Sequence, residues 1–154
     1  MATPRHSHRR VAVIATVAPV RPLDEALRLV GDRWSLLVVE SLLAGPRRFG
    51  ELLEGLDGLA PNILSRRLKA LEADGLVVAV PYSSRPPRVA YSLTAHGAEL
   101  AGALRLLAQW GAQRAAGTAP LHHATCGTAV EARWWCPTCA REVGDDEAPD
   151  LDYV

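Results

Sequence analysis

Apolar positions recur every three or four residues through most of 21–93, and the period changes once in between. Leu23, Ala26, Leu27 and Val30 form one helical stripe. Trp34, Leu37, Val38, Ser41 and Leu42 form a second. The two segments, spanning Asp24 to Leu43, are predicted to meet near Gly31, and Gly45-Pro46 ends the second. Arg47 to Leu56 is predicted to be helical with Phe49, Leu52 and Leu53 inward, followed by turn chemistry at Gly55, Asp57 and Gly58. A short helix with both ends marked comes next. Pro61 suits the first helical position, where its missing N–H costs nothing, and Gly75 suits the left-handed residue that closes a helix. Leu64, Leu68 and Leu71 share one face with Ile63 beside them, while Asn62, Ser65, Arg66 and Lys69 share the other. After Gly75 the period becomes two. Leu76 to Val80 and Val89 to Leu93 read as strands. The loop between them, Pro81 to Arg88, is restricted by prolines and presents Arg85 and Arg88. Thr94 then suits the cap of a long helix to about Ala116, with Leu100, Leu104, Leu107 and Trp110 as its apolar seam.

The outward face of the helix after Pro61 carries amide, hydroxyl, guanidinium and ammonium groups, with no acid before Glu72. Such a set donates to base edges and phosphates in a major groove. Taken alone, a solvated face explains it equally well. A basic hairpin directly behind the helix tips the balance, because helix, turn, helix and basic hairpin together make a winged helix-turn-helix. The expected fold is therefore mainly α with a small β-hairpin (α+β), ending in a long dimerisation helix. The expected partner is double-stranded DNA. Asn62, Ser65, Arg66 and Lys69 are the candidate base readers, Arg85 and Arg88 the wing contacts, and Arg33, Arg47 and Arg48 phosphate holders. Arg67 either braces the helix or touches phosphate. Trp34 is read as core. A homodimer formed through the seam would present two half-sites.

Composition changes this picture at the two ends. The 154 residues carry 17 bases and 17 acids, a net charge of zero that argues against nucleic acid until it is divided. Six acids and no bases lie from Glu142 onward, so residues 1–141 hold 17 bases against 11 acids. That is a modest positive footprint for a DNA reader. The expected organisation is a disordered basic arm at 1–20, a winged domain with its dimerisation helix at 21–116, a ribbon-like segment at 117–141, and an acidic disordered tail at 142–154. Arg5, Arg9 and Arg10 in the arm are available to phosphates. Val11 to Val17 superficially resembles a signal peptide's apolar region, but it leads almost directly into the first helix. A translation start placed too far upstream explains the stretch as well as an arm does. No run approaches the roughly 20 apolar residues that span a bilayer, and a cytoplasmic location is expected.

All three cysteines lie late in the chain. His123-Ala-Thr-Cys126-Gly127 is followed by Cys136-Pro-Thr-Cys139. Two ligand pairs with two-residue spacers and a short connector match a tetrahedral Cys3His zinc site, and Zn2+ is the expected cofactor. His122 is the rival ligand, with a less symmetric spacing. A Cys136–Cys139 disulfide and free thiols are the other readings, disfavoured by the second pair and by a reducing compartment. Four protein ligands leave no open position for a water nucleophile, so the zinc is expected to be structural; release of the metal on thiol oxidation is the alternative. Val130 to Trp135 has β character suited to a small ribbon.

Enzyme chemistry has no foothold. The chain lacks a nucleophile elbow, a phosphate-cradling glycine loop and an open metal triad. Asp24-Glu25 and Asp145-Asp146 are ordinary solvated acids. The rival from another class is a winged-helix and zinc-ribbon protein-interaction module that reads no DNA sequence.

These residues resemble the HxlR family of bacterial transcription regulators, relatives of the MarR group. The matching pieces are Ala26 to Trp34, Leu42 to Leu52, Leu64 to Leu76 and Pro87 to Thr94. The match covers about residues 21–112. The resemblance implies a homodimeric winged-helix regulator on a near-palindromic operator, repressing or activating a neighbouring gene, and it admits a small-molecule effector. A pocket for one is expected between the C-terminal helix and the winged domain, although no polar constellation names the ligand. Many members carry a cysteine just before the proline that opens the first helix, and in some it senses oxidants. Here Arg21 precedes Pro22, so that role is not carried over. Operator sequence, target gene, signal and sense of regulation are not encoded in readable form.

Overall fold

The computed structural model describes residues 21–144 together with Asp146 and Glu147. The basic arm expected at 1–20, and most of the acidic tail, lie outside the described residues. The elements run α1 (Pro22–Val30), α2 (Arg33–Leu43), β1 (Arg47–Arg48), α3 (Phe49–Gly55), α4 (Pro61–Ala73), β2 (Val77–Ser84), β3 (Pro87–Leu93), α5 (Ala95–Ala98), α6 (Ala101–Ala112), β4 (Trp134–Cys136) and β5 (Arg141–Val143). The result is a mixed α+β fold.

Helix α1 starts at Pro22 and stops at Gly31, whose N–H donates to Leu27 O. Asp32 then caps α2: its carboxylate accepts the Trp34 and Ser35 N–H groups at 3.0 and 3.3 Å. Helix α2 is the more deeply buried of the two. Val38 and Val39 are fully enclosed and Leu42 nearly so, whereas Leu23 and Leu27 of the first stripe are more than half exposed. With them, Val30, Leu52, Leu59, Leu64, Leu68, Leu71, Leu76, Val77 and Leu104 complete the core. Among the described residues, all of it comes from 30–104.

Three differences from the periodicity reading have identifiable causes. First, Arg47 and Arg48 are not helical. They pair antiparallel with β3, Arg47 opposite Tyr91 and Arg48 opposite Ala90, giving a sheet of order β1-β3-β2. Helix α3 starts only at Phe49, where the Glu51 carboxylate reaches back to the Arg48 N–H at 2.7 Å. Second, the wing is longer than its alternating runs. The strands continue to Ser84 and resume at Pro87, so the expected loop shrinks to Arg85-Pro86. Pro81 is tolerated because β2 lies at the sheet edge and the register slips between Pro81 and Ser83; Pro87 is the first residue of its strand.

Third, the helix expected from Thr94 to about Ala116 is divided into α5 and α6 and ends at Ala112. Thr94 does cap it, its hydroxyl accepting the Gly97 N–H at 3.0 Å. The same hydroxyl donates to Gly75 O at 2.7 Å. Gly97 is buried against Leu76, where an added Cβ would stand 2.1 Å from the Leu76 carbonyl oxygen. With the first turn held so tightly, the chain relaxes at Glu99 and Leu100 through three-residue hydrogen bonds at 3.3 Å before α6 begins. The seam is divided as well. Leu104 is buried and Leu100 half-buried, while Leu107 and Trp110 face solvent.

Candidate nucleic-acid interface

Helix α4 is amphipathic in a way its own end signals enforce. Ala60 is extended, Pro61 opens the helix, and Gly75 closes it at φ +69°. Leu64, Leu68 and Leu71 are at most 1% exposed. Burial of each contributes about 1.5–3 kcal/mol before conformational entropy is charged. The helix therefore cannot rotate, and the opposite face is presented outward. Asn62, Arg66 and Lys69 are exposed and Ser65 is half-buried. Asn62 Oδ1 also accepts the Ile63 N–H at 3.0 Å, which leaves its amide N–H2 to donate.

Arg67 points elsewhere. Its guanidinium meets Asp32, the cap of α2, at 2.7 Å, with the two side chains 25% and 34% exposed. One carboxylate thus starts α2 and anchors α4. Of the two roles the sequence left open for Arg67, the ion pair supplies the brace. Its Nε is buried without a hydrogen-bond partner, so the bracing contact is not a perfectly satisfied one.

The remaining candidate cations fall into two groups. Arg85 and Arg88 are exposed at the hairpin tip. Arg48 stacks on Tyr82, its guanidinium carbon 4.7 Å from the ring centroid, so that β1, just ahead of α3, meets the wing through a cation–π contact. Arg48, Tyr82 and Arg88 share a cleft with Phe49, Glu51 and Glu54. The two carboxylates offset part of the positive charge there. Arg47 is half-buried and spends its Nε on Ser41 O at 2.9 Å, closing the end of α2. Arg33 lies over Trp34 at 4.7 Å and remains exposed.

The geometry thus consists of two helices joined by a tight turn at Gly58 (φ +80°), a fixed outward polar face, and a basic β-wing. The profile described as HxlR-like helix-turn-helix matches residues 29–118. The chain belongs to this family. An uncharacterized HTH-type transcriptional regulator of Mycobacterium tuberculosis, Rv3095, is 43% identical over 125 residues, covering 79% of this chain and 78% of the relative. YtcD of Bacillus subtilis, also an HTH-type transcriptional regulator, is 32% identical over 90 residues, covering 58% of this chain and 71% of its own length. Among solved structures, a candidate transcription factor of Pseudomonas aeruginosa, PA1374, superimposes with a TM-score of 0.62 at 35% identity, covering 82% of this chain and 88% of that one. The redox regulator HypR in its reduced form gives 0.58 at 30%, covering 61% and 93%. This HxlR-like protein is a DNA-binding transcriptional regulator, and the interaction-module reading is not favoured. Among the described residues no helix is long and apolar enough to cross a membrane.

Two further features bear on the sequence reading of this HxlR-like chain. A pocket of about 160 Å³ lies between α1 and the α5–α6 junction, lined by Ala26, Leu29, Val30, Leu76 and Leu100 with His96 and Glu99. It is apolar, and smaller than the roughly 300–1,000 Å³ typical of small-molecule sites. The proposed metal ligands occupy two separate hairpin tips. His123 Nδ1 is 3.4 Å from Cys126 Sγ. Hydrogen bonds from the Thr128 side chain and backbone, then from His123, bring the Cys126 thiol down to about 7. The Cys139 backbone N–H, and after it the Cys139 thiol, lower Cys136, while the hydrogen bond to Cys136 raises Cys139. The pairs do not converge: among the described residues no three His, Cys, Asp or Glu side chains are gathered as a metal would hold them. The strands expected from Val130 to Trp135 reduce to Trp134–Cys136 paired with Arg141–Val143. Glu142 and Glu147, which the sequence assigned to a solvated tail, instead meet Arg133 and Arg141.

Proposed function

We propose that this regulator acts as a homodimer on a near-palindromic operator, with α4 in the major groove and the wing on the adjacent backbone or minor groove. The outward face of α4 carries the reading. Its buried leucines and the Arg67–Asp32 pair fix the orientation of Asn62, Ser65, Arg66 and Lys69, and a well-oriented bidentate contact discriminates bases by ~1–3 kcal/mol. Arg85 and Arg88 at the wing tip, with Arg33 and Arg48, position the protein on phosphates. Arg47 contributes less directly, because its guanidinium is already engaged at the end of α2.

The dimer reading rests on apolar surface left uncovered in one chain. Leu23 and Leu27 on α1 are 55% and 54% exposed, and Leu107 and Trp110 on α6 are 54% and 58% exposed. Patches of this kind mark interaction surfaces, and a symmetric pair sets two α4 helices about 34 Å apart, or a multiple of one turn. A cytoplasmic regulator of a neighbouring gene follows, with either sign of regulation. Mobility shifts on DNA upstream of its own gene test the docking. Arg66→Ala weakens operator binding selectively, whereas Arg85→Ala weakens binding to all sequences alike and lowers the salt slope by about 0.9 for each phosphate no longer neutralised. If both variants bind as wild type does, the docking is wrong.

A further inference from the structure

The two hairpin tips beyond α6 are the same structure made twice. In the first, His123 N–H donates to Thr128 O at 2.8 Å, and the bridge behind it pairs His122 with Ala129. In the second, Cys136 pairs with Arg141, and behind it Trp135 pairs with Glu142. Each tip therefore spans six residues, with a potential metal ligand at its first and fourth positions: His123 and Cys126, then Cys136 and Cys139. The fifth position is left-handed in both. Gly127 has φ +70°, and Ala140 has φ +51°, the one non-glycine residue with positive φ among the described residues.

Backbone N–H groups turn toward sulfur in each tip. That of Thr128 is aimed at Cys126, and those of Thr138 and Cys139 at Cys136. The 3.4 Å between His123 Nδ1 and Cys126 Sγ is close to the edge, about 3.5 Å, of a tetrahedron with Zn–N near 2.0 Å and Zn–S near 2.3 Å.

We propose that His123, Cys126, Cys136 and Cys139 bind one Zn2+ per chain, each hairpin tip supplying one edge of the tetrahedron and the ion drawing the tips together. Three sulfurs and one imidazole select a soft or borderline ion and leave no open position, so the metal is structural. A Cys136–Cys139 disulfide accounts for one tip only; it gives no reason for the matching tip with a histidine in the first place. The duplicated register also decides between the two histidines. His122 sits where Trp135 sits, in the pairing position behind the tip, and His123 sits where Cys136 sits. The ribbon needs the ion, because among the described residues none of the hydrophobic core comes from beyond Leu104 and metal binding supplies folding free energy that such a segment lacks.

The test is metal content of the full chain purified under reducing conditions without chelator, followed by exchange with Co2+. One zinc per chain is expected, and Co2+ should give the visible bands of a tetrahedral thiolate site. Cys126→Ser and Cys136→Ser should each lose the metal on dialysis, while His122→Ala keeps it and His123→Ala does not. Circular dichroism of the chelated protein should retain the winged domain's helices, which separates metal loss from global unfolding. Metal-free wild type that takes up neither Zn2+ nor Co2+ overturns the site. So does half an ion per chain, which would place the tips of two chains around one metal, and so does retention in the His123 variant with loss in the His122 variant.

Discussion

The Asp32–Arg67 contact offers the sharpest check on how α4 is held. Asp32 does two things at once: it caps α2 through two backbone N–H groups and pairs with Arg67 at 2.7 Å. Asp32→Asn separates them, because asparagine caps a helix as well as aspartate does but carries no charge. Exposed ion pairs contribute about 0–1 kcal/mol, and breaking a fully buried one costs about 3–5 kcal/mol. At 25% and 34% exposure this pair lies near the lower bound, so Asp32→Asn should cost about 1 kcal/mol. Asp32→Ala adds the lost cap, roughly 1 kcal/mol more. Arg67→Met keeps the apolar stem and removes the unpartnered Nε, so it should cost less than Asp32→Ala. Urea denaturation of the Asp32→Asn, Arg67→Met and double variants at one protein concentration closes the cycle, with an expected coupling of about 1 kcal/mol. A coupling below about 0.3 kcal/mol, within ordinary additivity error, refutes the brace. The salt dependence of DNA binding supplies an independent reading. If Arg67 is a brace, the slope of Arg67→Met equals that of wild type; if it neutralises a phosphate, the slope falls by about 0.9.

Three further outcomes follow from the same structure. Gly97→Ala forces a Cβ to within 2.1 Å of the Leu76 carbonyl oxygen; it should destabilise by at least the ~1–3 kcal/mol of an overpacked site, and a melting temperature equal to wild type would contradict the close approach. Leu107→Lys with Trp110→Lys places charge in the exposed half of the seam, so light scattering at micromolar concentration should show monomers with unchanged circular dichroism; a persistent dimer moves the interface elsewhere. Burial, and after it the Glu72 carboxylate, hold the Tyr91 phenol above its ordinary value of 10.0. A raised folded value means that stability is full below pH 10 and falls as pH climbs beyond it, since the unfolded chain ionises first. Tyr91→Phe should flatten that alkaline loss in a pH series of denaturation midpoints, and an identical series for both proteins would remove the effect.

Helix α4 was fully legible because its determinants are local: a proline to start, a glycine to stop and leucines at helical spacing. What the sequence hid depends on partners distant along the chain. Arg47-Arg48 looks helical beside Phe49-Gly-Glu-Leu, yet β3 lies some forty residues later and offers backbone pairing that periodicity cannot register. Arg67 sits among outward-facing cations in sequence, and only the approach of Asp32 turns it inward. Pro81 reads as a strand breaker until the edge position of β2 is known. The division of the C-terminal helix has a readable trace in Gly97, but the carbonyl that makes the glycine necessary belongs to Leu76. The two-residue spacers His123 to Cys126 and Cys136 to Cys139 were plain, whereas the repeated hairpin register behind them needed the backbone.

Thr94 and Gly97 fasten the start of the last helical segment to Gly75 and Leu76, the residues where α4 ends and the wing begins. In a dimer assembled on α6, this knot makes the pair of reading helices a caliper with a set opening. One base pair inserted between half-sites moves the second about 3.4 Å along the duplex and turns it roughly 35° around the axis. With only the short turn at Glu99 and Leu100 between the knot and α6, the caliper follows that twist poorly. Operators for this protein should therefore tolerate changes of letter at single positions better than changes in the length of their spacer.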